Sequence, residues 1–197
     1  MSKSDTAAAK KERSKTIRWV VTIFLVTIVV SAIISMVSEE LMSSSGLVSC
    51  FLILLAIVMV GIIFDIIGMA VTSADEKPFH SMAARKVVGA QQAIRLLRNA
   101  ERVSSICCDV VGDICGVVSG SASATIAALI LANVQLVWPR LISLVMSALV
   151  AGLTVGGKAI GKTFAMNSAT EIVHMVGRFV FWFNHIPNLL QQKKNKR

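Results

Sequence analysis

Four long apolar runs, parted by short polar stretches, set the pattern of this chain. The first, Trp19 to Met36, is uncharged and close to the ~20 residues that a helix needs to cross a bilayer. The second runs from Leu47 to Val71 and is interrupted only by Asp65. The third, from Val103 to Asn133, carries Asp109 and Asp113 and then a stretch of small residues, Gly112, Gly116, Ser119, Gly120, Ser121, Ala122, Ser123 and Ala124. The fourth runs from Leu141 to Gly157 and is closed by Lys158 and Lys162. Small residues let helices approach closely in lipid. The pattern predicts an all-α membrane protein with about four transmembrane helices.

The polar stretches predict the rest. Residues 1–18 hold six basic and two acidic side chains without apolar periodicity, which predicts a disordered basic arm. Ser38, Glu39, Glu40 and Ser43 to Ser45 read as a short acidic loop. Between spans two and three, Pro78 suits a first helical turn. Val87, Ala90, Ala93, Ile94 and Leu97 follow a helical step there. This connector predicts one or two amphipathic helices on the membrane face, with a break at Gly89. Gln135, Trp138, Pro139 and Arg140 read as a turn at the far interface. Ser168 and Glu171 have the spacing of a capping box. The apolar segment after it, with Phe179, Phe181, Trp182 and Phe183, predicts an interfacial helix ended by Pro187. Residues 188–197 form a basic tail. The expected division is thus an arm (1–18), an added span with its loop (19–45), a main transmembrane domain (46–187) and the tail.

Composition agrees. The chain has 197 residues, 55% of them hydrophobic, against the ~45–50% usual for soluble domains. Only 16% are charged, and these are clustered. The net charge of +9 lies in the arm, the connector and the C-terminal side, whereas the Glu39–Glu40 loop holds no Lys or Arg. The positive-inside rule then places both termini in the cytoplasm of a multi-pass protein of the cell membrane. No basic face sits on a soluble domain, so nucleic acid is not an expected partner. Cys50, Cys107, Cys108 and Cys115 lie in or beside apolar runs and read as small buried hydrophobes. His80, His174 and His185 read as solvated. No nucleophile elbow, phosphate loop or His-Glu metal helix is present, so the chain does not read as an enzyme.

The candidate chemistry lies in the acids within the spans. Ionisable groups there are costly and mark functional sites by default. At about 1.5 Å per residue, Asp65, Asp109 and Asp113 fall roughly 8–15 Å from the connector ends of their helices, with Lys158 at the end of span four. Asp109 and Asp113 are four residues apart and share a helix face. Three carboxylates make a hard-oxygen set suited to a hydrated magnesium ion, and Ser119, Ser121 and backbone carbonyls are candidate further ligands. A structural reading stands beside this one: Lys158 pairs with one carboxylate and burial protonates another. The neighbouring thiols raise a softer-metal reading as well.

Several segments resemble a known family. They are AVTSADE (Ala70 to Glu76), ARKVVGAQQAIRLLRNAERVSS (Ala84 to Ser105), SASATIAALIL (Ser121 to Leu131) and GKAIGKTFAMNSATEIV (Gly157 to Val173). Over Gly61 to Phe183 the chain resembles the transmembrane domain of the cyclin M (CNNM) and CorC/CorB magnesium-transport family, the connector most specifically. The resemblance implies a homodimer that binds or transports a divalent cation, Mg2+, with alternating access. It implies Asp65 at the place of a family serine, and Asp109 and Asp113 near the place of a family asparagine pair. The family glutamate falls on Lys158 and its proline on Gly161. Neutral ligands have thus become acidic, and one acid has become a base that tunes or blocks the site. The paired nucleotide-binding CBS modules that often follow in the family are not in this chain, so nucleotide regulation in cis is not expected. The alternative is a degenerate, non-transporting member that serves as a membrane scaffold or partner subunit.

Overall fold

The computed structural model describes the backbone of residues 3–43, 45–133 and 139–194, and the side chains of residues 16–42, 45–132 and 140–183. No strand occurs among the described residues. The elements are α1 (Lys3–Ser43), α2 (Leu47–Ser73), α3 (Lys77–Ala84), α4 (Ala90–Arg98) and α5 (Ala100–Ser104). A π-helical segment (Ser105–Gly112) follows, then α6 (Asp113–Asn133), α7 (Pro139–Asn167) and α8 (Ala169–Lys194). Among the described residues, four stretches are long and apolar enough to cross a membrane: Thr16–Met42, Leu47–Ser73, Ala100–Ala132 and Arg140–Asn167. The third joins α5, the π segment and α6 into one span.

The hub is α2, which packs against α7, α6, the π segment, α5 and α8. Toward the α1–α2 loop, Leu54 and Val58 of α2 meet Ala122, Ile126 and Val150 in one buried cluster. Toward the connector, Ala70 and Val71 meet Phe79, Ala93, Ala165 and Val173 in a second. α1 is peripheral: Ile23, Val30 and Ile34 lean on Val110, Ile114 and Val118 of span three. The Arg102 guanidinium lies 5.2 Å from the centre of the Trp19 ring, so the start of span one and the connector share one end of the bundle.

The connector folds into α3 and α4, as its pattern predicts. Pro78 stands in the first turn of α3, and Phe79 behind it is fully buried. Gly89 breaks the two helices with φ +89°, a region that L side chains avoid. A Cβ there would also stand 2.6 Å from the backbone N of Arg178, so only glycine lets this turn rest on α8.

Several expected boundaries are corrected. The arm is helical from Lys3 rather than disordered. Its Ala, Lys, Glu and Arg residues are good helix formers, and span one supplies the nucleus. α1 also runs past Glu39 and Glu40, so the acidic loop contracts to a turn near Ser45. Span four does not stop at Gly157: α7 continues through Lys158 and Lys162, with Ala165 buried against α2's cluster. A lone lysine per turn does not end a helix. α8 passes Pro187 to Lys194: an interior proline removes one intrahelical bond and crowds the carbonyl four residues earlier, which can kink a helix without ending it. Ser44, the Gln135–Trp138 part of the far turn, and tail residues Lys196 and Arg197 lie outside the described residues.

Candidate functional site

The site forms where α2, the π segment and α7 meet. Gly61, Asp65 and Gly68 make one i, i+4, i+7 stripe on α2. Its glycines lie flush on span three. A Cβ on Gly61 would stand 2.8 Å from the Cβ of Cys115, and one on Gly68 would meet the Cys108 sulfur. The stripe aims Asp65 at the same helix, where the Cys108 thiol lies 3.7 Å from the Asp65 carbonyl oxygen as donor. On the other side of α2, Gly157 and Gly161 of α7 pack against Ile62 and Ile66. Lys158 is therefore delivered into the bundle by the glycines that flank it.

Its ammonium is the centre of the arrangement. Lys158 Nζ donates to the Gly112 carbonyl oxygen at 3.4 Å and lies 3.8 Å from Asp113 Oδ1. The point where a Gly112 side chain would begin is 3.4 Å from that Nζ and 3.9 Å from Asp65 Oδ1. One ammonium, one backbone carbonyl and the Asp113 carboxylate thus meet, with the Asp65 carboxylate nearby on α2 but outside ion-pair distance of Lys158. The Lys158 side chain is 25% exposed and that of Asp113 73%, so the group opens outward along Asp113. Asp65 lies eight residues from the end of α2, about 12 Å at 1.5 Å per residue. Lys158 lies nine residues from the end of α7, a similar depth, and not at the helix end that the sequence suggests.

The other expected ligands lie elsewhere. Asp109 is exposed on the same outward face as Asp113. The Ser119 and Ser121 hydroxyls donate to the Gly116 and Val118 carbonyls of their own helix, both at 2.9 Å. These serines stand six and eight residues beyond Asp113, roughly 9–12 Å along the axis. Among the described residues, no three His, Cys, Asp or Glu side chains gather as a metal cluster. Two features escaped the sequence: the Gly112 carbonyl and the π segment. Glycine between two acids marks only a small residue, and no sequence signal announces a π turn. Such turns are rare and frequent at functional sites.

The histidines are less free than their sequence context suggests. His80 Nε2 lies 3.1 Å from Glu76 Oε1, and His174 Nε2 lies 3.2 Å from the Val88 carbonyl oxygen. Glu76 also accepts from Arg98 Nε at 2.9 Å, which ties the start of α3 to the end of α4. The Arg98 guanidinium, helped by His80, holds the Glu76 carboxyl below the usual carboxylate range. The His185 side chain lies outside the described residues.

Compared with family models, with curated proteins and with solved structures, the chain finds no significant match.

Proposed function

We propose that this chain is a multi-pass membrane protein of CNNM/CorC type that binds or carries a divalent cation, Mg2+, in exchange with the Lys158 ammonium. The observation that carries the reading is the meeting of the Gly112 carbonyl and the Asp113 carboxylate at one positive group, with the Asp65 carboxylate beside the same glycine. Oxygens that hold an ammonium offer what a hydrated hard cation takes: one or two carboxylates and a carbonyl, with water completing the octahedron. Asp113 leaves one side of the site uncovered by this chain. Lys158 acts as a tethered counter-charge that offsets one of the two carboxylates when no divalent cation is bound.

The Trp19–Arg102 contact supports an orientation with the arm and the connector on one side, and their basic residues favour the cytoplasm for that side. The homodimer that the resemblance implies would use the outward face of span three. Cβ atoms at Gly116 and Gly120 would meet nothing within 4 Å, so a second helix can approach there.

Melting curves test the cation reading. Ligand at 100 times its dissociation constant stabilises a fold by about 2.7 kcal/mol. Saturating Mg2+ should therefore raise the midpoint of purified protein, and raise it more in Lys158→Met, where the competing ammonium is gone. Cobalt and zinc serve as comparators. Midpoints indifferent to Mg2+ in both proteins would favour the alternative, a scaffold or partner subunit in which the Lys158–Asp113 pair is purely structural.

A further inference from the structure

A second functional surface lies away from the cation site, where the connector turn crosses α8. Gly177 and Gly89 bring the two backbones together: a Cβ on Gly177 would stand 2.6 Å from the Gly89 carbonyl oxygen. His174 adds its contact with the Val88 carbonyl. Beyond this crossing, α8 turns large apolar side chains away from the protein. Met175 is 72% exposed, Phe179 and Phe183 68% and Trp182 67%. Phe179 and Phe183 stack on each other with ring centres 6.5 Å apart.

Two grooves adjoin there and share Val88 and Phe181. One, of about 560 Å³, is lined by Val88, Met175, Arg178, Phe179, Phe181 and Trp182. The other, of about 220 Å³, is half polar and includes Lys86, Gln91 and Gln92. Each groove holds one cation, and neither is lined by an acid. Apolar walls, two positive charges at the rim and two neutral amides describe an amphiphile with a negative head. α8 begins one residue after α7, a membrane-spanning candidate, so the surface sits at the end of the bundle, where apolar and aqueous phases meet. Trp with Arg and Lys is the side-chain set of that boundary. The sequence continues the charge with Lys193, Lys194, Lys196 and Arg197.

We infer that the crossing of the connector turn and α8 is a binding site for an anionic phospholipid. The phosphate sits between Arg178 and Lys86, headgroup hydroxyls meet Gln91 and Gln92, and acyl chains lie along Met175, Phe179 and Trp182. This inference stands apart from the cation reading and needs only the membrane location.

The test uses the full chain with Trp19→Phe and Trp138→Phe, which leaves Trp182 as the one fluorophore. The protein is placed in nanodiscs of phosphatidylcholine and phosphatidylglycerol, with brominated acyl chains on one lipid or the other at equal mole fraction. Brominated phosphatidylglycerol should quench Trp182 more strongly than brominated phosphatidylcholine. That preference should fall about fivefold for each basic residue removed, in Lys86→Asn and in Arg178→Gln. Asparagine tolerates the φ of 56° at Lys86, and Arg178 makes its tight contact through the backbone, so both variants should fold. Lys86→Arg and Arg178→Lys should keep the preference. Equal quenching by the two lipids would overturn the site, because it marks unselective contact with the bilayer. Absence of quenching by either would overturn it as well, because water or a protein then covers Trp182.

Discussion

The ammonium of Lys158 stands 3.8 Å from Oδ1 of Asp113 and joins the interior of α7 to the point where span three passes from π to α helix. A sealed ion pair broken on one side costs about 3–5 kcal/mol. Here the carboxylate is 73% exposed and the separation is long for a hydrogen bond. That exposure belongs to the free chain and falls within a candidate span, so Asp113→Asn in detergent should cost between the ~1 kcal/mol of a pair in water and the ~3–5 kcal/mol of a sealed one. Thermal melting checks it, and an unchanged midpoint would show that the pair contributes nothing.

The contact between α2 and span three makes a sharper demand. A Cβ on Gly61 would lie 2.8 Å from that of Cys115, where no flexible tail can yield. Gly61→Ala should destabilise by about 1–3 kcal/mol through overpacking. Cys115→Gly should relieve part of that loss, so a double-mutant cycle should give a coupling of about 0.5–3 kcal/mol. Additive losses would show that the two helices do not meet at these residues.

What the sequence reveals follows from the range of the forces involved. The four spans were legible because burial in lipid writes itself as unbroken apolar runs, and α2 matches its run nearly to the residue. The turn at Gly89 was legible because only glycine suits φ +89°. Boundaries set by propagation were not: α7 carries through Lys158, and α8 through Pro187, since neighbouring turns outweigh one unfavourable residue. At the site, Asp113 meets Lys158, and Asp65 lies beside Gly112 close to them. Asp109 stays on the outward face, and Ser119 and Ser121 bond within their helix. Spacing gave the shared face of the two acids, but the rotation of that face depends on the glycine contacts of α2.

The connector should weaken in acid. The Glu76 carboxyl is held below its usual value of 4.5 by Arg98. Its pairing therefore contributes fully above the ordinary carboxylate range and is lost as pH falls through the lowered value. The protection of α3 and α4 amides, measured against their intrinsic exchange rates at each pH, should fall over that acidic window in the wild type. In Glu76→Gln the same amides should show no such step. An identical acid step in both proteins would place its origin elsewhere.

Topology is open to labelling. The native cysteines Cys50, Cys107 and Cys115 are buried and Cys108 is half-buried, so background reaction should be low. A cysteine introduced at Ser45 should react with an impermeant reagent added outside intact cells. One at Arg85 in the connector should react only after permeabilisation. The reverse pattern would invert the orientation.

The most direct test of the account is equilibrium binding of Mg2+ to the purified chain by calorimetry, in wild type, Lys158→Glu and Asp113→Ala. Exchange at one oxygen site predicts a single saturable event in the wild type. It predicts tighter binding in Lys158→Glu, where an acid replaces the competing ammonium, and weaker binding in Asp113→Ala. No saturable binding in either the wild type or Lys158→Glu would contradict the cation site.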